Sequence, residues 1–275
     1  MKQVLLLTDY SENSKNAIFY ALQLFEKQKC TFYVLNTQKN TRYTTSDLLT
    51  SGNTSIYDSL IKKNKQKLKR FVKTIEKKYQ NENYSFKTIV DYDALTDAIN
   101  QYVEVNKIGL IVMGTNGATG AKEVVFGSNT INVIRKVNCT TLIIPERFQY
   151  KTPKKLFLPL DMDDSLNSKA FLQIKTFAEK FKTSLNILRI DTKNKNVELE
   201  DRKHLNHNLK HVSYTYNVTK NISIFNAINQ HLKTHEIDML TLIVQKESAF
   251  ERFLSESVTT KITQDLKVPL LIYHS

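Results

Sequence analysis

The chain has 275 residues, 41% of them hydrophobic, enough apolar material for one large core or two ordinary ones, so a disordered chain is excluded. The formal net charge is +13, but 20 basic and 13 acidic residues fall in 1–146 and 20 and 14 in 147–275, so the excess is shared between the halves. No apolar run approaches the roughly 20 residues of a membrane helix, and Met1 and Lys2 lead directly into the strand-like "QVLLLTD", which predicts a cytoplasmic protein with neither leader nor anchor.

In chain order, the first half reads as strands near 2–8, 31–36, 84–90, 108–113 and 141–144, with helices near 12–28, 57–79, 94–105 and 128–137. Buried, nearly all-apolar strands alternating with amphipathic helices predict a parallel sheet covered on both faces. The second helix contains "KKNKQKLKRFVKTIEKK" (Lys62 to Lys78), nine basic residues against one acid, which accounts for the whole excess of its half. Ile61, Leu68, Phe71, Val72, Ile75 and Tyr79 recur there at helical spacing, so the lysines cover a solvated face while the aromatics lie on the core stripe. Nucleic acid is disfavoured as a partner, since exposed aromatics for base stacking are missing from that face.

The stretch "MGTNGATGAKEVVFGSN" (Met113 to Asn129) follows the fourth strand and enters a helix. Gly114, Gly117 and Gly127 fit G-x2-G-x9-G-[ST], with Ser128 next. Glycines let the main chain turn and approach a ligand with free N–H groups, and Ser128 reads as the N-cap of a helix whose first turn would suit phosphates. The plainer alternative is that the glycines serve as turns and a cap. The first strand ends in "TDYS"; if the first and fourth strands are neighbours across a switch point, both loops open on one crevice. Asp9 reads equally as a helix cap or a ligand, and Ser11 is the better cap. Cys30 and Cys139 have no metal-ligand spacing and read as buried, reduced thiols. His204 and His207 read as solvated, and no histidine forms a metalloprotease pair or lies near a serine elbow.

The seam "ERFQYKTPKK" (Glu146 to Lys155) is polar and contains Pro153, as a linker should. Beyond it the pattern repeats, with strands near 155–160, 184–190, 211–217, 237–244 and 269–273 and a shorter second helix. "VLLLTDYSENSKNAIFYALQLFEKQKCTFYVLNT" parallels "LFLPLDMDDSLNSKAFLQIKTFAEKFKTSLNILRI", and the closing segments "IGLIVM…GSNTINVIRKVNCTTLIIP" and "IDMLTLIV…SESVTTKITQDLKVPLLIY" correspond as well. The fold expected is therefore α/β, two tandem Rossmann-like, flavodoxin-like domains, each a five-stranded parallel sheet with helices on both faces. The expected boundaries are 1–146, a linker at 147–153, and 154–275. No glycine occurs after Thr152, and Glu256 stands where the first half has Gly127, which sets a carboxylate against any phosphate. Asp161 and Ser257 survive and read as structural caps.

The spacing, the entry "IVMG", the exit "GSNTINVIRK…TTLIIP" and the ending "LTDYSENS" together resemble the universal stress protein family in tandem form, strongly over 1–146 and in layout over 152–275. The resemblance implies that ATP binds in the first domain, with Mg²⁺ as a candidate companion and no metal site in the protein itself. It implies Thr8 and Asp9 after the first strand, Asp9 taking ribose hydroxyls. Leu35 would touch adenine, Met113 and Gly114 would line base and sugar, Gly117, Gly127, Ser128 and Asn129 would hold phosphates, and Thr115 would belong to the same nucleotide site. Asn116 stands where many members have histidine, and Gly109 where they often have a polar residue. The motif is not a P-loop, since no Gly-Lys-Ser or Gly-Lys-Thr occurs.

A nucleotide-binding regulator is the first reading: ATP holds the glycine loop in one state and changes partner choice. A slow ATP hydrolase or phosphotransferase is the second, although Asp9, Ser11, Lys122 and Glu123 include no histidine and no telling carboxylate pair, so no catalytic residue is assigned. The third is a basic adaptor with a vestigial nucleotide site. "TTLIIP" (Thr141 to Pro145) and "PLLIYH" (Pro269 to His274) are apolar edge candidates, so the two domains are expected to pair with each other through their fifth strands, leaving any homodimer to another surface.

Overall fold

The structure is a computed structural model that describes residues 1–38, 54–115, 127–192, 197–244 and 267–275, with the side chains of 54–60 left out. In the first half the elements are β1 (Lys2–Leu7), α1 (Glu12–Leu24), β2 (Cys30–Thr37), α2 (Thr54–Tyr79), β3 (Tyr84–Asp91), α3 (Leu95–Asn106), β4 (Leu110–Gly114), α4 (Ser128–Lys136) and β5 (Thr141–Ile144). The second half supplies β6 (Lys155–Leu160), α5 (Lys169–Phe181), β7 (Ser184–Asp191), α6 (Glu198–Asn208), β8 (Tyr214–Lys220), α7 (Ile224–Thr234), β9 (Met239–Val244) and β10 (Leu270–His274).

All ten strands form one sheet in the order β3-β2-β1-β4-β5-β10-β9-β6-β7-β8. Each half is a parallel five-stranded sheet, and the two meet where β10 runs antiparallel to β5, with Leu270, Leu271 and Ile272 opposite Ile143, Leu142 and Thr141. The order is palindromic, and its central pair is antiparallel. The halves are therefore related by a pseudo-twofold axis normal to the sheet between β5 and β10. Registers repeat across this axis: Val4 faces Leu110 as Leu156 faces Met239.

The nearly unbroken apolar strands follow from burial on both faces. One face packs on Ala17 and Ile18 of α1, Leu68, Val72 and Ile75 of α2, Phe171 and Ile174 of α5, and Leu205 of α6. The other packs on Ala98 and Ile99 of α3, Val133 and Ile134 of α4, and Ala227 and Ile228 of α7. Cys30 and Cys139 are free and buried. Among the described residues no helix is long and apolar enough to cross a membrane.

Two expected element bounds are corrected. Helix α1 stops at Leu24, not near residue 28, where Phe25 closes it by donating its N–H to Ala21 at 3.1 Å; the polar run Glu26 to Lys29 offers no apolar stripe to hold a further turn on the sheet. Strand β8 spans 214–220 instead of 211–217, because Val212 belongs to a turn, its N–H bound to Leu209 at 3.1 Å. The segment between the halves is packed down. Phe148 and Tyr150 lie on Tyr20, with ring centroids 6.0 and 5.1 Å away, and Asn16 donates to the Phe148 carbonyl at 3.0 Å. Lys151 pairs with buried Asp238 at 2.5 Å.

Candidate nucleotide site

Strands β1 and β4 are neighbours, and their outgoing connections separate: α1 covers one face on the way to β2, α4 the other on the way to β5. This is the switch point at which parallel α/β sheets leave a crevice beyond the carboxyl ends of the strands. The two loops touch there. A Cβ added at Gly114 would lie 2.8 Å from the Asn13 side chain of α1, so glycine lets the two come this close without displacing Asn13.

After β1, Thr8 is buried and works for the loop: its N–H binds Leu35 at 2.9 Å, its carbonyl accepts from Asn36 Nδ2 at 2.7 Å, and its hydroxyl meets Ser14 Oγ at 3.1 Å and Tyr10 N at 3.0 Å. Asp9 is exposed and accepts from Ser11 N at 2.9 Å. Partial burial would raise its pKa, but hydrogen bonds from Ser11 and Ser14 outweigh that and hold it below the usual carboxylate value, so it stands ionised. Ser11 caps α1, its hydroxyl accepting from Ser14 N at 3.1 Å, which leaves Asp9 out of the cap. Tyr10 adopts a left-handed φ of 67°, a conformation costing a non-glycine residue about 1–2 kcal/mol. It is held there by its bond to Thr8, by the Phe71 ring edge-on at 5.5 Å and by Lys67 Nζ 3.9 Å over its ring.

At the end of β4, Met113 is buried and Gly114 is partly exposed, and the next residue, Thr115, is fully buried. Thr115 pins both ends of the glycine stretch: its N–H binds Ile144 at 3.2 Å, and its carbonyl accepts from Gly127 N and Thr130 Oγ1, each at 2.9 Å. Gly127, with φ −60° and ψ 153°, is the N-cap of α4, one residue earlier than expected. Ser128 is already helical, so it and Asn129 present their side chains and first-turn N–H groups to solvent. The first turn has no acidic residue, and Arg135 and Lys136 sit at the far end, an arrangement that keeps the N-terminus attractive to anions.

Of the sequence-selected residues, Asp9, Gly114, Gly127, Ser128 and Asn129 thus meet solvent at the β1/β4 switch, while Thr8, Leu35, Met113 and Thr115 form the buried floor behind them. Gly117 lies outside the described residues, as do Asn116, Lys122 and Glu123. Sequence reasoning passed over Asn13, Asn36 and Tyr10; only the "SENS" segment carried a signal for the first of these.

The model of the universal stress protein family matches residues 1–145. The chain belongs to the universal stress protein family. A universal stress protein of Methanocaldococcus jannaschii is 26% identical over 157 residues, covering 56% of this chain and 84% of that protein. The crystal structure of a universal stress protein from Archaeoglobus fulgidus matches 99% of this chain and 98% of its own at 15% identity and a TM-score of 0.74, a likeness of fold over both halves. A protein of unknown function from Pseudomonas aeruginosa matches 100% and 92% at 11% identity and a TM-score of 0.60.

The second half of this stress protein builds the corresponding corner differently. By register, Arg189 occupies the place of Asn36: Leu7, two residues before Asp9, faces Leu35, Pro159, two before Asp161, faces Leu188, and Asn36 and Arg189 are the next residues along. Arg189 is buried and forks onto Asp201 at 2.7 and 2.8 Å, while its other nitrogen donates to the carbonyls of Asp161 and Asp164. Tyr216 Oη adds a 2.6 Å bond to Asp201. Burial alone would lower the guanidinium pKa, and the Asp201 carboxylate reverses that. Asp161 does not cap α5, as was expected of it; Ser168 does, accepting from Phe171 N at 3.1 Å. Glu256 and Ser257 lie outside the described residues.

Proposed function

We propose that this chain is a cytoplasmic regulator that binds ATP once, in a unit spanning 1–146, and that 154–275, joined through 147–153, is a degenerate copy without a nucleotide site. The observation that carries this reading is the corner at the β1/β4 switch: the loop after β1 holds an ionised Asp9, the glycine stretch after β4 leads into the acid-free first turn of α4, and Gly114 packs close to Asn13 of α1. Asp9 accepts the ribose hydroxyls. Leu35 and Met113 back the base, and Thr8 and Thr115 fix the two loops. Gly117, Gly127, Ser128 and Asn129 take the phosphates through N–H and hydroxyl groups. Mg²⁺, where it enters, enters with the phosphates.

ATP bridging the two loops ties α1 to α4, and so to both faces of the sheet, which is how occupancy reaches a partner surface. The antiparallel β5–β10 seam is proposed to hold the two units together as one chain's internal dimer. Calorimetry with ATP is expected to give one site per chain, and single-turnover analysis to return intact ATP. Gly127→Glu is expected to reduce affinity at least tenfold with an unchanged melting temperature, because the extended backbone there suits any residue while the carboxylate repels phosphate. Two equivalent sites, or none in folded protein, overturn the reading; ADP as the product overturns the regulator in favour of a slow hydrolase.

A further inference from the structure

The pseudo-twofold axis makes two equivalent clefts beside the seam, and the inter-unit segment packs into one of them. On the filled side Asn16 and Tyr20, five and nine residues after the α1 cap, hold Phe148 and Tyr150. The matching residues of α5, five and nine after Ser168, are Gln173 and Phe177. They line an open cleft of about 430 Å³ at the amino edge of β1, β4 and β5, within the size range of small-ligand sites. Leu110, Leu142, Leu271 and Tyr273 give it an apolar floor.

The two clefts differ in charge. On the filled side Asp238, whose N–H binds Lys155 at 3.0 Å, accepts from Lys151 and from the N–H groups of Lys154 and Lys155. Its counterpart in the open cleft is Gly109, whose N–H binds Gln3 at 3.0 Å. The carboxylate is gone, and Lys2 and Lys180 line the same space. Lys2 is partly buried with its ammonium 4.4 Å over the Phe25 ring, and Phe25 meets Phe181 at 5.9 Å. Among the described residues neither lysine has a carboxylate partner.

We propose that this cleft binds a small organic anion with an aromatic body, the body occupying the space that Phe148 and Tyr150 fill on the other side and the head pairing with Lys2 and Lys180. The site lies at the opposite end of β1 and β4 from the nucleotide crevice, so it is independent of ATP. Lys2 and Lys180 share its wall with the rings of Phe177 and Phe181, which suits a flat body carrying a carboxylate or sulfonate.

The test uses the full chain and anilinonaphthalene sulfonate, an aromatic anion whose fluorescence rises on binding, beside its uncharged parent phenylnaphthylamine. Saturable binding of one sulfonate per chain is expected. Gly109→Asp, which copies Asp238 and whose added Cβ meets only Gln3 O at 4.0 Å, is expected to weaken it at least tenfold, as is Lys2→Glu/Lys180→Glu, with the uncharged parent changed less than twofold. Melting temperatures and ATP binding of the variants report on the fold. Absence of saturable binding, or variants within twofold of the parent chain while still folded, overturns the proposal. Equal losses for the charged and uncharged probes overturn the role of the lysines.

Discussion

Leu142 and Leu271 test the seam most directly, because they are register partners on the antiparallel β5–β10 pair and are 0% and 1% exposed. Opposed residues on such a pair have Cβ atoms about 4.5–5.5 Å apart, and both leucines belong to the same core cluster. Truncating either to alanine removes about three methyl or methylene groups, roughly 2.4 kcal/mol of transfer free energy at about 0.8 each. The cavity left behind brings the expected loss to about 2–5 kcal/mol. Since each loses the other as a neighbour, the double variant should cost less than the two losses combined, by about 0.5–3 kcal/mol. Urea unfolding followed by circular dichroism gives the four free energies. Leu271→Asp puts a carboxylate in the same place and is expected to make the seam accessible to limited proteolysis. Additivity of the two alanine losses to within about 0.3 kcal/mol would refute the strand pairing.

Gly114→Ala is expected to cost about 1–3 kcal/mol by overpacking, because its Cβ arrives 2.8 Å from Asn13; thermal unfolding checks it, and Asn13→Ala in the same chain should recover part of the loss. Asp201→Asn leaves the buried Arg189 without its countercharge and should cost about 3–5 kcal/mol, whereas a loss below about 1 kcal/mol in denaturant titration would contradict the pairing. Burial first, then Lys180 of α5, lower the pKa of Lys2 to about 8 against a partial offset from Cys30 of β2. The unfolded chain then binds more protons between pH 8 and the ordinary lysine value of 10.5, so the Lys2 contribution to stability increases as pH rises through that window. Lys2→Met should flatten the slope in pH-dependent melting.

The alternation of strands and helices was legible because strands buried on both faces must be apolar along their whole length, as in Val4 to Leu7 and Met239 to Val244. The glycine at 114 was legible because it stands where β4 comes close to the Asn13 side chain, a contact that any added Cβ crowds. Less legible were features that depend on partners distant in sequence. Nothing local in "ELEDRKHLNHN" reveals that Asp201 turns inward, since the helix presents little apolar stripe and only Arg189 draws that carboxylate into the core. Phe148 and Tyr150 lie in a segment that reads from its polar composition and Pro153 as a linker, and their receptor Tyr20 is over a hundred residues away. The cap of α4 moved to Gly127 because a helix start is set by backbone angles, and an available serine hydroxyl one residue later does not fix them.

At the loop after the first strand of each half, one exchange and its consequence separate the two. Asn36 is a neutral amide that gives one bond to the Thr8 carbonyl and leaves Asp9 exposed beside the crevice. A guanidinium at the matching position reaches further: it ties down the carbonyls of Asp161 and Asp164 and cannot be buried without a carboxylate, which Asp201 supplies from α6. Tyr216 then satisfies the remaining valence of that carboxylate. Once assembled, such a group resists piecemeal reversal. Removing Arg189 alone strands Asp201 in the core, and removing Asp201 alone strands the cation, each at about 3–5 kcal/mol. Reopening this corner therefore requires replacing Arg189 and Asp201 together, and the pair Arg189→Asn/Asp201→Leu should be more stable than either single variant.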